Sequence, residues 1–274
     1  QAPWTLPSLA SLLTSRYPSQ LGIADVDTVV PESALLLPEL LQTHGYATGA
    51  VVSHRFAAAR WGFRQGYDVF DETSVLDHDA VTSPAVSNAA IAFLDRHDER
   101  PFFLLLHYFD PHSDYREHAG FELPREAPYR GPIESGMARR ELLALRRRLR
   151  AADVAEPLRI YDSEIAFTDH HIGRVLDALR ERGLYDRTIV VATADHGEEF
   201  LDHGHLGHTK TLYEELIRVP LLVRHPGWEP GVVSTPVALL DVLPSVAQWV
   251  GFEAPDDIEG PVIAPKDDGR HAER

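Results

Sequence analysis

Apolar runs of strand length alternate along the chain with segments whose apolar residues recur at helical spacing, as in α/β proteins. SLASLLTSRYP (8–18) predicts a helix closed by Pro18, and ALLLPELLQTHGY (34–46) a second with Gly45 near its C-cap. ATGAVVS (47–53) follows as a short strand. AVSNAAIAFLDRH (85–97) is helical by spacing, with Ala89, Ile91, Ala92 and Leu94 available for a buried face. PFFLLLHYF (101–109) is a continuous apolar run that suits a central strand. The clearest helix is 162–183, where Ile165, Thr168, Ile172, Val175, Leu176 and Leu179 fall at helical spacing and Gly183 stops the pattern. TIVVAT (188–193) is then a strand, expected beside or nearly beside 101–109 in one sheet with that helix on its face. VPLLVRHPG (219–227) reads as a strand and turn, and ALLDVLPSVAQWVG (238–251) as a helix interrupted at Pro244.

Composition narrows the functional classes. The chain is 44% hydrophobic and 25% charged over 274 residues, enough for a sizeable core in one large domain or two modest ones. A formal net charge of −16 argues against a nucleic-acid surface. It leaves anionic substrates open, because a bound divalent cation reverses the local field. The lack of cysteine removes disulfides, thiolate zinc sites and a cysteine nucleophile together. No apolar run reaches the ~18 residues of a membrane span. The first residue is Gln1, not Met, which is read as a processed product or a fragment. The basic segment RRELLALRRRLRAAD (139–153) is read as the solvated face of an exposed helix in preference to a patch for an anionic partner.

The chemistry concentrates in ADHGEEFLDHGHLGHTK (194–210), just past the 188–193 strand. It holds four histidines and four carboxylates, hard-to-borderline ligands for divalent metals. Ligands in open α/β sheets bind outside the carboxyl ends of strands. Asp195 and His196 are adjacent there, and Gly197 gives the turn room. An Asp-His pair alone is ordinary polar surface, and a separate zinc site from His203, His205 and His208 is an alternative. His107, inside an apolar run, reads as a satisfied core residue.

Other segments change the weight of that loop. YDSEIAFTDHHIGRVLDALRERGLYDRTIVVATADHGEEFLDHG resembles the sulfatase family of the alkaline phosphatase superfamily. The likeness continues through LYEELIRVPLLVRHPG, LLDVLPSVAQWVGFEAPDDIEG, LLQTHGYATGAVVS, FRQGYDVFDE, FFLLLHYFDPHSDY and PSLASLLTSRYPSQLGI. The resemblance implies an α/β/α sandwich with a central mixed, mostly parallel sheet. It implies a catalytic domain over 1–262 with a polar tail over 263–274, the family's first strand and its C-terminal subdomain being absent. It further implies a metal-dependent hydrolase of sulfate or phosphate esters, with a small-molecule, glycan or lipid ester as partner. The parent protein would be periplasmic, secreted or membrane-anchored.

Position by position, Thr5 takes the nucleophile position, two residues before Pro7-Ser8. Asp195 and His196, with Thr5, take the metal-ligand positions for a divalent ion: calcium, manganese, magnesium or zinc. His112 takes the position that contacts the transferred anion, and Lys210 or His208 the late basic group that binds the ester or protonates the leaving oxygen. The chain departs from the pattern in three places. Thr5 replaces the Cys or Ser that becomes formylglycine, Leu9 replaces an Arg, and no acidic residue precedes Thr5. A threonine ester cannot expel sulfate by collapsing to an aldehyde, so Thr5 tilts the expected substrate toward phosphate. A phosphoglycerol- or phosphoethanolamine-type transferase, a true sulfatase with another solution at the nucleophile, and an inactive sulfatase-like binding module are the alternatives.

Overall fold

The computed structural model describes residues 2–75, 81–96, 98–112, 114–125 and 127–265. Its first helix, α1 (Thr5–Thr14), is buried along nearly its whole length and is a core element. Leu6, Leu9, Ala10 and Leu13 meet Leu36, Leu37 and Leu41 around α2 (Leu37–Thr43), with Val30, Phe63, Leu243 and Ala247 in the same cluster. Two buried hydroxyls of α1 are satisfied by backbone: Ser8 Oγ donates to the Ala2 carbonyl at 2.8 Å and Thr14 Oγ1 to the Ala10 carbonyl at 2.7 Å.

Proline explains where the helices depart from the sequence reading. Pro7 sits in the first turn of α1, where its missing N–H costs nothing, so the helix starts at Thr5 instead of residue 8. Pro38 sits at the start of α2, Leu36 before it is extended, and Glu39 Oε2 accepts the Leu36 N–H at 2.8 Å. That helix therefore begins at Leu37, not at residue 34. Pro244 falls in the first turn of the last helix, so it opens that helix and does not interrupt it.

β1 (Ala47–Val52) pairs in parallel with β2 (Val69–Asp71) and with β3 (Phe102–His107), in the order β2-β1-β3. Val52 lies opposite His107, so the carboxyl ends of these strands fall together. α3 (Ser83–Arg96) packs Phe93 onto Gly49 of β1, where a Cβ would lie 2.6 Å from the ring. α4 (Arg139–Leu145) is short, and α5 (Ala151–Glu181) is 31 residues long, starting well before the expected 162. Its early turns are held by ion pairs: Arg159 bonds Glu156 at 2.7 Å and Glu117 at 2.6 Å, and Arg125 bonds Glu156 at 2.7 Å. Further on, Ala178 and Leu179 pack with Leu94 of α3. Most of the basic segment is exposed as expected, but Arg139 is turned inward.

β4 (Val190–Thr193), β5 (Glu199–Phe200), β6 (Leu206–Gly207), α6 (Glu214–Ile217), β7 (Leu221–Arg224) and α7 (Val242–Trp249) complete the chain. β4 pairs antiparallel with β7, and β5 with β6. The expectation that β3 and β4 share one sheet is corrected: β3 is bonded to β1, β4 only to β7, and the two belong to separate hydrogen-bonded sheets. Every residue of both strands is half-buried. The sheets meet at their ends, where His107 after β3 lies in the field of Asp195 and His196 after β4. The α/β architecture holds, with parallel pairing confined to the first sheet. The expected polar tail from residue 266 onward, and His97 at the end of the expected 85–97 helix, lie outside the described residues. No helix among the described residues is long and apolar enough to cross a membrane.

Burial of α1 makes a stability test direct. Leu13 is fully buried, whereas Leu222 on β7 is 64% exposed. Leu13→Ala is expected to lower the unfolding free energy by about 3 kcal/mol in urea titrations, and Leu222→Ala to change it by less than about 0.5 kcal/mol.

Candidate active site

Asp195 and His196 leave the carboxyl end of β4 on a turn that only glycine can complete. A Cβ at Gly197 would lie 2.0 Å from the Glu215 carbonyl oxygen, and the Gly197 N–H donates to the Leu216 carbonyl at 2.8 Å. The turn is thereby pinned to α6. His196 Nδ1 lies 2.9 Å from the Gly197 carbonyl. A carbonyl can only accept, so Nδ1 carries the proton and Nε2 keeps its lone pair. That Nε2 faces Asp195 Oδ2 at 3.6 Å, and Oδ2 is buried with no hydrogen-bond partner. Two lone pairs converging on one side, with the imidazole fixed from behind, are a donor set that suits a divalent cation. The Thr5 hydroxyl donates to Asp195 from the start of α1. Among the described residues no group of three or more His, Asp or Glu side chains could by itself hold a metal ion.

Burial pushes the Asp195 carboxyl up, but the His196 and His107 imidazoles and the Thr5 hydroxyl outweigh it and hold the group below its ordinary value. His107 is therefore not the satisfied core residue expected. Its Nδ1 has no hydrogen-bond partner, and its ring faces Asp195. Burial holds that imidazole below its ordinary value, with Asp195 partly opposing.

The imidazoles form a row across the cleft. His54 stacks on Phe109 at 4.8 Å and lies 5.7 Å from His112. His112 stacks on Phe109 at 4.2 Å and meets His208 edge-on at 4.9 Å. His208 in turn lies 4.3 Å from His196. Thr5, Asp195, His196, His112 and His208 thus come together from segments far apart in the chain. His54 was missed in the sequence, although its place just past β1 was a readable signal.

Buried Glu199 shapes the loop that carries His208. Its Oε1 accepts the N–H groups of His203 and His205 at 3.0 and 3.1 Å, and its Oε2 the Thr211 hydroxyl at 3.2 Å. The Thr209 N–H donates to the Pro3 carbonyl at 3.0 Å, which seats the loop beside the start of α1. His203 stacks on Tyr213 at 3.5 Å and His205 is exposed, so the alternative zinc site from His203, His205 and His208 does not assemble. Lys210 is exposed on the rim of the same loop, and no hydrogen bond or ion pair among the described residues ties it to the imidazole row.

The family model described as Sulfatase matches residues 1–252. An ulvan-active sulfatase from Formosa agariphila is 29% identical over 94% of this chain, which spans 54% of that protein. Among solved structures, BT4656 in complex with its substrate D-glucosamine-2-N,6-O-disulfate superposes with a TM-score of 0.74 at 20% identity, covering 96% of this chain and 70% of the other. A phosphonate monoester hydrolase from Silicibacter pomeroyi superposes with a TM-score of 0.70 at 22% identity, covering 94% of this chain and 66% of the other. At these identities the structures speak for the fold: the alkaline phosphatase-like α/β arrangement expected from the motifs.

Near this cleft, Glu164 of α5 is packed with His118, whose Nε2 lies 3.6 Å from Oε1. Burial pushes the Glu164 carboxyl up to about 7 from an ordinary 4.5; His118 and the Arg116 backbone oppose this, and Asp110 adds to it. The folded state then holds a proton that the unfolded chain releases, so this group's contribution is full below pH 4.5 and is lost as pH rises through 7. Glu164→Gln should flatten that slope and raise stability relative to the parent at pH 8 by up to about 3 kcal/mol, read from urea midpoints at pH 5 and pH 8.

Proposed function

The chain belongs to the sulfatase family, and from that premise we propose that the whole protein is a metal-dependent hydrolase of sulfate esters carried on a glycan. The observation that carries this reading is the meeting of Thr5 with Asp195 at the start of α1, beside the unpartnered Asp195 Oδ2 and the free face of His196. The ulvan-active sulfatase and BT4656 with its bound D-glucosamine-2-N,6-O-disulfate support the substrate class. Those names weigh against the phosphate preference suggested by Thr5, and none of them favours a transferase or a binding-only module.

In the proposed reaction Thr5 Oγ1 attacks sulfur, its proton passing to Asp195, which accepts its hydrogen bond, as the bond from sulfur to the alcohol oxygen breaks. The helix α1 begins at Thr5, so developing negative charge gathers at a helix N-terminus. His112 faces the ester's non-bridging oxygens, and His208 supplies a proton to the departing alcohol oxygen. Lys210, on the rim, meets outer anionic oxygens of the substrate. Water then cleaves the threonine ester. Asp195 and His196 would hold calcium, manganese, magnesium or zinc through Oδ2 and Nε2, with Thr5 as third donor; when bound, such a cation neutralises charge on the ester. The open edges of β3 and β4 fit one further strand, whose acidic residues would complete that shell.

The test is turnover of 4-nitrophenyl sulfate and 4-nitrophenyl phosphate by the whole, metal-loaded protein. Sulfate is expected to turn over faster, Thr5→Ala to lower kcat by about 10³-fold or more, and a chelator to abolish activity. Faster phosphate turnover would remove the sulfate assignment, and undiminished activity in Thr5→Ala would remove the nucleophile.

A further inference from the structure

Glu198 plays no part in the reaction as drawn, yet it touches the proposed proton donor. Its Oε1 lies 2.9 Å from His208 Nδ1, and its side chain is only 5% exposed. A carboxylate oxygen accepts, so Nδ1 carries a proton in this bond, which sets the ring plane. A ring that donates to the leaving oxygen is then the imidazolium: it gives up the proton on Nε2, the opposite ring nitrogen, and is left neutral with its proton still on Nδ1, in the row where His208 meets His112 and His196.

Tyr115, from the chain segment between β3 and α5, stands beside Glu198: burial, followed by the charge of Glu198, drives that phenol well above its ordinary value. A Cβ placed on Gly207 would meet both Arg139 Nε at 3.2 Å and Glu198 Oε1 at 3.5 Å, so the side chains of both residues line the space over Gly207. The Arg139 N–H bonds Asp114 Oδ1.

We propose that Glu198, beside Tyr115, is the positioning residue that aims His208 Nε2 at the oxygen leaving the ester. This rests on the reading of His208 as proton donor to the leaving group. A donor of that kind matters most when the departing oxygen is basic and least when it leaves readily as an anion.

The experiment compares phenyl sulfate, a poor leaving group, with 4-nitrophenyl sulfate, a good one, in the whole metal-loaded protein. Glu198→Met removes the acceptor at similar length. It should lower kcat on phenyl sulfate about 100-fold with KM changed less than about twofold, while 4-nitrophenyl sulfate loses less than about fivefold, which also reports that the variant folds. Glu198→Gln, whose amide oxygen still accepts the Nδ1 proton, should recover at least about tenfold of the loss. In a His208→Gln background Glu198→Met should add nothing. Equal losses on both esters, or full additivity with His208→Gln, would overturn the proposal. A crystal structure of Glu198→Met gives a readout independent of turnover. A His208 ring that has swung from its parent position supports the positioning role even if the parent cleaves no ester, in which case the hydrolase reading alone falls. An unmoved ring overturns the positioning role whatever the activity.

Discussion

A carboxylate oxygen shut away from water must find donors or positive charge nearby, and Asp195, half-buried with its Oδ2 out of reach of solvent, is the point at which this molecule meets that requirement. Its partners come from three distant places: the Thr5 hydroxyl from the start of α1, His196 from its own turn, and His107 from the end of β3. Each can reach Asp195 only if its element is fixed. The deep burial of α1, the register that puts the ends of β1 and β3 side by side, and the clamp between Gly197 and α6 are the means. The core and the site are in this sense one construction, because the helix that fills the apolar cluster also delivers the hydroxyl.

A second buried carboxylate does the same for the loop. Glu199 gathers two backbone N–H groups and a threonine hydroxyl, so thirteen residues from Glu199 to Thr211 close on one side chain. Adjacent Glu198 points to His208 instead. Two neighbouring glutamates, one just before β5 and one opening it, thus face opposite duties, one toward the imidazole row and one toward the loop's backbone.

The elements were legible because their apolar patterns are strong: β1, β3, β4 and α3 fall close to where spacing predicts. Pro244 reads as an interruption where it lies in the first turn of α7, and the starts of α1 and α2 differ from the expected ones because Pro7 and Pro38 also lie in first turns. The separation of β3 from β4 was not legible, since apolar runs say that strands are buried and not which edges pair. Motif resemblance pointed to Thr5, Asp195, His196, His112 and His208, which lie close together in the structure. His107 reads as core because a lone histidine inside an apolar run has that meaning, and His54 carries no motif. Tyr115, Arg139 and Glu198 carry no local signal at all, because their meaning lies in contacts across long stretches of chain.

The clamp at Gly197 divides the molecule into what can drift and what cannot. With the Glu215 carbonyl where a side chain would begin, the ligand-bearing turn and α6 tolerate neither a larger residue nor independent movement. Substitutions that reshape this scaffold must therefore accumulate elsewhere. The 114–150 excursion is the natural reservoir: it is rich in exposed residues and is anchored to α5 by arginine–glutamate pairs. A lineage of such proteins could diversify there while the turn that carries Asp195 and His196 stayed frozen.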